Sequence, residues 1–584
     1  MYIYGILSKH SLVKGKIARN SRVLSTVGQE SRDSKGGDMD YPAQSVVCDI
    51  AVIGGSSAAL VAALEARKAG MRVLVVTKGL VGRGGNTIVS GAGFAAVLPG
   101  ANQKDSCEQF QADILASGKG INHEHLVHEL VEHSGTAILD LEHYGVNFFK
   151  SNGDFVRRKP PGHSYPRQIP TVNDAGSYHT RGLTITIPLR EAAERAGVDF
   201  LEKTAVIELL CDSERGVYGA VGINTRMTEL IRISAKSVIL ATGGAGMIYE
   251  RTNNTTDVTG DGYGLALEAG ARLVDMEFVQ FYPTMAFKPV KVPISSPLFG
   301  DGAVLRNKNL DRFMTKYDPA GDMATRDIMS RAIFSEVSSG NGVENGVYID
   351  CSAVPAELFE KKHKAMLKYL LANNINPQKD LLLISPSTHF FMGGIKLDGS
   401  LSTGVPGLFA AGEVVGGLHG ANRISGNALT ETAVFGKIAG QMAAEHASTI
   451  RSIKLSDKKS AHAPGRREGD LREIKSALRR TMWQNVSVQR SRDSLERALC
   501  EIEDYRRELL GLAADGLRNL AAWVELKRML TVSEAVTRSA LLRDESRGSH
   551  FRTDFPDSDD SRWIGNIEVG QHENELRLAV NPKK

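Results

Sequence analysis

Between residues 48 and 79 the chain reads CDIAVIGGSSAALVAALEARKAGMRVLVVTKG, and few folds accommodate that order of residues. Cys48 to Val52 is a short apolar run without alternation, as expected of a strand buried on both faces. A Gly-Gly turn follows, then an alanine-rich helical stretch closed by Lys68-Ala69-Gly70, then a second apolar run up to Val76. Strand, glycine turn, helix and strand make a βαβ unit, whose helix N-terminus is suited to a pyrophosphate. The fingerprint G-x-G-x-x-G/A falls on Gly54, Ser56 and Ala59. Ser56 stands where a glycine normally lets the backbone approach phosphate, and Thr77-Lys78 stand where an acid normally meets a ribose. Taken alone, the pattern also fits an ordinary strand–helix turn.

Glycine-rich strand ends recur along the chain, which holds 59 glycines. VGRGGNTIVSGAGFAAV (81–97) is too glycine-dense for a surface helix and too apolar for a linker, so it reads as a ligand-hugging loop leading into a buried strand. SAKSVILATGGAG (234–246) is a strand ending in another close backbone approach, and Asp261-Gly262 precede a further helix. GEVVGGLHGANRISGNALTETAVFG (412–436) places a glutamate, an arginine and a Gly-Asn pair before a helix whose N-terminus favours an anion. Arg423 there offers a planar fork suited to a carboxylate. A domain that returns to such turns early, midway and late wraps one long ligand, and FAD fits better than a mononucleotide.

At 584 residues the chain is too long for one core. Its formal net charge of +4, with no basic run carrying interleaved aromatics, argues against nucleic acid. The five cysteines show no CxxC spacing, so no iron–sulfur or zinc site is expected within the chain. No apolar run reaches the roughly 18 residues of a membrane span. Residues 1–45 are basic and acid-poor at the start and are assigned no structure; a transit peptide and a mis-set start, with Met39 just before the first element, both fit them. Helices are expected within 105–150, at 187–197 with Pro188 in the first turn, and over 466–512 and 514–543.

With these motifs in hand, the chain resembles the flavoprotein family of succinate dehydrogenase, fumarate reductase and L-aspartate oxidase. The carrying stretches are VIGGSSAALVAA, VTKG, GGNTIVSGAG, ILATGGAG, DMEFVQFYPT, ATRDIMSRAI, STHFFMGGI, GEVVGGLHGANRISGNAL and RDESRGSHFRTDFPDSDDSRW, from about Asp49 to Trp563. The resemblance implies an α/β fold: a Rossmann-like FAD-binding domain (46–275 and 375–450), an inserted α+β capping domain (276–374), a helical C-terminal domain (451–545) and a tail (546–584). It implies FAD held by Gly54, Ser57, Ala58, Thr77, Lys78, Gly79, Gly85, Asn86, Thr87, Gly91, Gly93, Ala241, Thr242, Gly243, Asp261, Glu413, Arg423, Gly426, Asn427 and Leu429. It implies hydride transfer between the flavin and a C–C bond beside a carboxylate, with Arg326 moving the proton in a tight, water-poor site and His389 and Arg423 binding the substrate carboxylate.

Four departures shape the expected activity. Asn86 stands where respiratory members carry the histidine bonded to FAD, so the flavin is expected to be non-covalent, with a lower potential that favours substrate reduction. Tyr282 replaces the histidine of His-Pro-Thr, Phe299 replaces an arginine of Arg-Gly-x-Gly, and Ser295-Ser296 replace a Thr-Glu pair. Losing a buried cation and its partner acid together avoids an uncompensated charge. The expected substrate keeps one carboxylate and is less acidic or bulkier than fumarate at its far end, with Asp301 or Tyr282 as candidates for a new proton route. The expected partners are a small carboxylate substrate and an iron–sulfur or other electron-transfer subunit; the expected location is cytoplasmic, or peripheral at a membrane through that partner. An L-aspartate oxidase-like enzyme and a non-catalytic flavin relay are the alternatives.

Overall fold

The computed structural model describes residues 43–98, 104–173, 178–294, 297–453, 465, 467–573 and 575–583. The βαβ unit forms as expected, as strand Ile50–Ile53, helix Ser57–Lys68 and strand Val73–Val76, and it lies at the heart of the molecule. All eight residues of the two strands are buried. They belong to a five-stranded parallel sheet in the order Leu408–Ala410, Ser237–Leu240, Ile50–Ile53, Val73–Val76, Asp199–Leu201. Helices Ser57–Lys68 and Asn427–Thr449 pack side by side through small residues: a Cβ at Gly440 would lie 2.5 Å from the Ala62 carbonyl oxygen. A second sheet carries Thr204–Asp212, Gly216–Asn224 and Glu229–Ser234 in antiparallel pairs.

Strand Ala43–Val47 joins that second sheet in parallel with Glu229–Ser234, so the fold includes residues before the expected boundary at 46. Residues 1–42 lie outside the described residues. The helix expected at 187–197 runs over Leu183–Arg195, which places Pro188 inside it and not in its first turn. Pro188 has no amide hydrogen to give the carbonyl of Thr184, a local loss offset by burial of Ile185, Thr186 and Leu189 on the same helix.

The inserted domain has its own five-stranded sheet, ordered Val292–Pro293, Val279–Lys288, Leu382–Phe391, Val347–Asp350, Val304–Arg306. Its separate core includes Leu298, Phe313, Ile333 and Phe359. Strand Leu382–Phe391 lies beyond the boundary expected at 374, because its pairing partners are in this sheet.

Helices Leu471–Val486, Arg492–Gly511 and Gly516–Leu542 form the helical C-terminal region. The expected tail also contains a hairpin, Gly565–His572 with Glu575–Pro582, that extends a sheet made by Leu273–Val274 and Gly394–Ile395. Among the described residues no helix is long and apolar enough to cross a membrane.

Candidate functional site

The carboxyl ends of the central strands open onto a cleft lined largely by backbone and small side chains. Gly54, Ala58, Thr77, Lys78, Gly85, Asn86, Thr87, Ala241, Thr242, Gly243, Asp261 and Glu413 all lie on its wall. Gly54 has φ +136°, and a Cβ there would sit 2.1 Å from the Ala241 carbonyl oxygen, so no other residue fits the turn. Ser56 tolerates the fingerprint position because Gly85, at φ +72°, faces it: a Cβ at Gly85 would lie 2.9 Å from that of Ser56. Ser57 is buried behind the wall and its Oγ accepts from Thr432 Oγ1 at 2.9 Å.

Several buried polar atoms on or beside this wall have no protein partner: Ser56 Oγ, Thr242 Oγ1, Thr255 Oγ1 and both amide atoms of Asn427. Buried polar groups are nearly always satisfied, so these atoms await a polar ligand. A glycine cradle, the N-terminus of a twelve-residue helix and orphaned donors fit a dinucleotide such as FAD. Asn427 opens helix Asn427–Thr449 behind Gly426, which has φ +93°, and Leu429 is buried in the same first turn. Gly79, Gly91 and Gly93 do not line the cleft: Gly79 follows its rim, Gly91 is exposed, and Gly93 pairs with Pro170 in a short strand.

Lys78 does not offer a free charge to phosphate. Its Nζ donates to Asp261 Oδ2 at 2.6 Å, Thr259 Oγ1 at 2.6 Å and Glu525 Oε2 at 2.8 Å. Burial opposes ionisation of Glu525, but Lys78 and Lys475 hold its carboxyl down to about 2. Asn86 is fully engaged, its Nδ2 donating to Glu413 Oε2 at 2.9 Å and to Asn254 Oδ1 at 3.0 Å. Burial, with Glu431 nearby, pushes the Glu413 carboxyl up to about 7 against the bonds from Asn86 and the Phe391 amide.

Asn254 links the cleft to a second cluster, since its Nδ2 donates to the His389 carbonyl at 3.0 Å. There the two long cap strands are irregular. Gln280 opposes Phe390 but Phe281 opposes Thr388, so His389 is the extra residue of a bulge, a device that re-aims a side chain. The register shifts again across Pro283-Thr284, where proline has no amide hydrogen for the ladder. The His389 and Tyr282 rings are 5.6 Å apart, and the Arg326 guanidinium lies 5.1 Å over the Tyr282 ring. Burial, then Arg423 and Arg326, push the His389 imidazole well below its ordinary value, so it is neutral. The Asn253 amide holds the ring, with its Nδ2 3.0 Å and its Oδ1 3.2 Å from His389 Nδ1.

Arg423 packs over the Phe390 ring at 4.7 Å, donates from Nη2 to Gln280 Oε1 at 2.8 Å, and keeps a buried Nε without a partner. Burial and the Arg326 cation lower it to about 10. The fold therefore brings Arg326, His389, Arg423 and Tyr282 together. Two expectations are corrected. Arg326 is exposed at the first position of helix Arg326–Ser338 and is not in a water-poor site, because the helix begins at the cap rim. Neither candidate for the proton route bonds to it: Tyr282 Oη donates to the Ile294 carbonyl at 2.8 Å, and Asp301 is held by Lys362 at 2.6 Å and His363 at 2.8 Å. Phe299 is buried in the cap core, while Ser295 and Ser296 lie outside the described residues.

Sequence reasoning missed Asn253, Asn254 and Gln280, and on the cleft wall Asp257 and the 204–206 strand start. Asp257 Oδ2 accepts from the Gly85 amide at 2.9 Å and so fixes the glycine loop. The polar run NNTTDVTGDG carries three of these residues and was the available signal.

Comparison with known proteins agrees with this geometry. Residues 49–429 match the model of the FAD binding domain, and residues 475–583 that of the fumarate reductase flavoprotein C-term. An uncharacterized FAD-dependent oxidoreductase of Methanocaldococcus jannaschii is 38% identical over 89% of this chain and 96% of its own. One fumarate reductase (CoM/CoB) subunit of Methanothermobacter marburgensis is 37% identical over 88% of this chain and 95% of its own. The solved structure of Mycobacterium smegmatis Sdh1 in complex with UQ1 superposes with TM-score 0.83 at 31% identity, covering 92% of this chain and 95% of that one. A glycine-walled FAD cleft abutting an Arg–His–Arg cluster, on a chain matched along nearly its whole length, belongs to an FAD-dependent oxidoreductase of the succinate dehydrogenase and fumarate reductase flavoprotein family.

Proposed function

We propose that this enzyme reduces the C–C double bond of an α,β-unsaturated carboxylate, with its FAD bound non-covalently. The observation that carries the reading is the convergence of Arg423, His389 and Arg326 beside the cleft, a set that a pure electron relay would not need. Bound FAD supplies the two-electron redox chemistry. The chain's own residues then orient and polarise the substrate. Arg423 clamps its carboxylate through the unpartnered Nε, and the neutral His389 ring, held by Asn253, lies beside Arg423 to hydrogen-bond the same group. Both draw electron density from the β-carbon, where hydride arrives. Arg326, stacked on Tyr282 at the cap rim, delivers the proton to the adjacent carbon once bound substrate covers it from water.

Tyr282 fills its position as an aromatic platform under Arg326, with its hydroxyl spent on Ile294. Together with Phe299 this leaves the far end of the site without the family's cation, and supports a substrate that is apolar or bulky there. Electrons come from a separate electron-transfer protein or soluble carrier, in keeping with a relative that is itself one subunit of a reductase.

Two measurements test the proposal. Acid precipitation of the holoenzyme is expected to release yellow FAD into the supernatant, since an asparagine amide at position 86 lacks the nucleophilic ring nitrogen of a histidine; colour held in the pellet refutes that point. Anaerobic turnover with reduced viologen across fumarate, acrylate and aryl-substituted enoates is expected to favour one of the latter, while L-aspartate gives no peroxide. Arg326→Ala is expected to lower kcat by about a hundredfold or more with flavin content unchanged. Turnover of no enoate at all, or normal turnover by Arg326→Ala, overturns the reading.

A further inference from the structure

We infer that Gln280 is a positioning residue that orients Arg423 and leaves its charge free for the substrate carboxylate. The inference rests on the carboxylate-clamp reading of Arg423 above. Gln280 makes three hydrogen bonds, all to the Asn422-Arg423 pair. Its Oε1 accepts from Arg423 Nη2 at 2.8 Å, and its Nε2 donates to the Arg423 carbonyl at 2.9 Å and to Asn422 Oδ1 at 3.0 Å. A backbone carbonyl can only accept, so the carboxamide cannot be flipped and Oε1 must face the guanidinium.

The rest of the guanidinium is held as firmly. Nη1 donates to the Ile424 carbonyl at 3.2 Å, and Phe390 covers one face. Nη1 and Nη2 each hold one protein acceptor, whereas the buried Nε–H has none. Gln280 and Tyr282 are two residues apart on strand Val279–Lys288 and project to the same face, so one strand sets both the carboxylate clamp and the platform under Arg326. Its root is fixed three residues earlier, where Arg490 Nη1 donates to the Glu277 carbonyl at 2.7 Å and Arg543 Nε to the Glu277 carboxylate at 2.6 Å. A neutral acceptor at 280 aligns Arg423 without neutralising it. A carboxylate there would keep the bond to Nη2 but lose both bonds from Nε2, and its charge would compete with the substrate.

That contrast separates positioning from a plain backbone brace. The test compares holoenzyme carrying Gln280→Met and Gln280→Glu with the enoate that the wild-type enzyme reduces fastest. Gln280→Met is expected to raise KM about tenfold with kcat within about twofold, the signature of lost uniform binding. Gln280→Glu, which keeps the bond to Nη2, is expected to raise KM at least as far. A brace acts through the bonds from Nε2, which both variants lack, and so predicts a wild-type KM in both with the loss appearing in flavin content and thermal midpoint. Should Gln280→Met not fold, the KM of Gln280→Glu decides alone: a wild-type value overturns the inference. Arg423→Lys is measured in parallel. A wild-type KM in Arg423→Lys sinks the clamp itself, whereas a raised KM there with wild-type values in both Gln280 variants sinks only the positioning role.

Discussion

Glu413 shows how much a single position in the cleft carries. Both oxygens accept hydrogen bonds, from Asn86 Nδ2 and the Phe391 amide, yet burial with Glu431 close by pushes its carboxyl from 4.5 up to about 7. An acid whose folded value is raised binds more protons folded than unfolded, so its contribution to stability is complete below the unfolded value and is lost as pH rises through the folded one. In the flavin-free protein this amounts to about 3 kcal/mol lost between roughly pH 4.5 and 7. Glu413→Gln is neutral at every pH and removes that part of the slope. Denaturant unfolding at pH 5, 6, 7 and 8 measures it, and parallel wild-type and variant profiles would place the proton elsewhere. Residues of this kind were legible in the sequence when a glycine turn or a distinctive run marked them, as with Glu413, Arg423 and His389. Gln280 and Asn254 were not, because a lone amide in a strand or loop has no spacing to give it away. What makes them part of the site is the partner that the fold brings to them from more than a hundred residues distant.

Elements were legible where one pattern dominated. The βαβ unit, the paired helices after residue 105 and the helices expected over 466–512 and 514–543 all form, the stretch 466–512 as two helices, Leu471–Val486 and Arg492–Gly511. Strand Ala43–Val47 (AQSVV) has little intrinsic signal and exists by pairing with Glu229–Ser234. Strand Leu382–Phe391 pairs within the cap sheet although it lies beyond the boundary expected at 374, because the sequence does not reveal which strands become neighbours. The C-terminal hairpin gives little sign of itself in the sequence, since one of its two strands, Glu575–Pro582, presents most of its side chains to solvent. The buried arginines behind the cap are the clearest case of structure exceeding pattern. Arg543, fully buried, bonds Glu277 at 2.6 Å, Glu545 at 3.0 Å and the carbonyls of Trp563 and Gly565. A buried pair of this kind adds little net stability over apolar packing, but removing one partner strands the other charge. Its physical effect is to fix one geometry for the strand that carries Gln280 and Tyr282.

At the scale of the whole molecule, the C-terminal region is built into the cofactor cleft and is not an appendage. Helix Gly516–Leu542 sends Arg528 into the FAD-binding domain, where it donates to the carbonyls of Val206 at 3.1 Å and Ile207 at 2.6 Å and pairs with Glu268. Val206 lines the cleft, and Gly264 makes room for the arginine, since a Cβ there would lie 2.5 Å from its Cγ. One turn before Arg528 on the helix, Glu525 bonds Lys78 on the cleft wall and Lys475 on a neighbouring helix. The hairpin Gly565–His572 and Glu575–Pro582 completes the sheet that holds Leu273–Val274 and Gly394–Ile395, next to the strands of the substrate cluster. Cutting the chain at residue 450 would expose the apolar face under helix Gly516–Leu542, leave Lys78 with Asp261 as its one acid, and unpair one sheet edge. The truncated chain is therefore expected to lose FAD on gel filtration and to aggregate, while the full chain elutes yellow and unfolds in one transition with a midpoint raised by added FAD. A truncated chain that eluted as a monomer with flavin bound would show the cleft to be self-sufficient, and the bonds from Glu525 and Arg528 to be incidental to it.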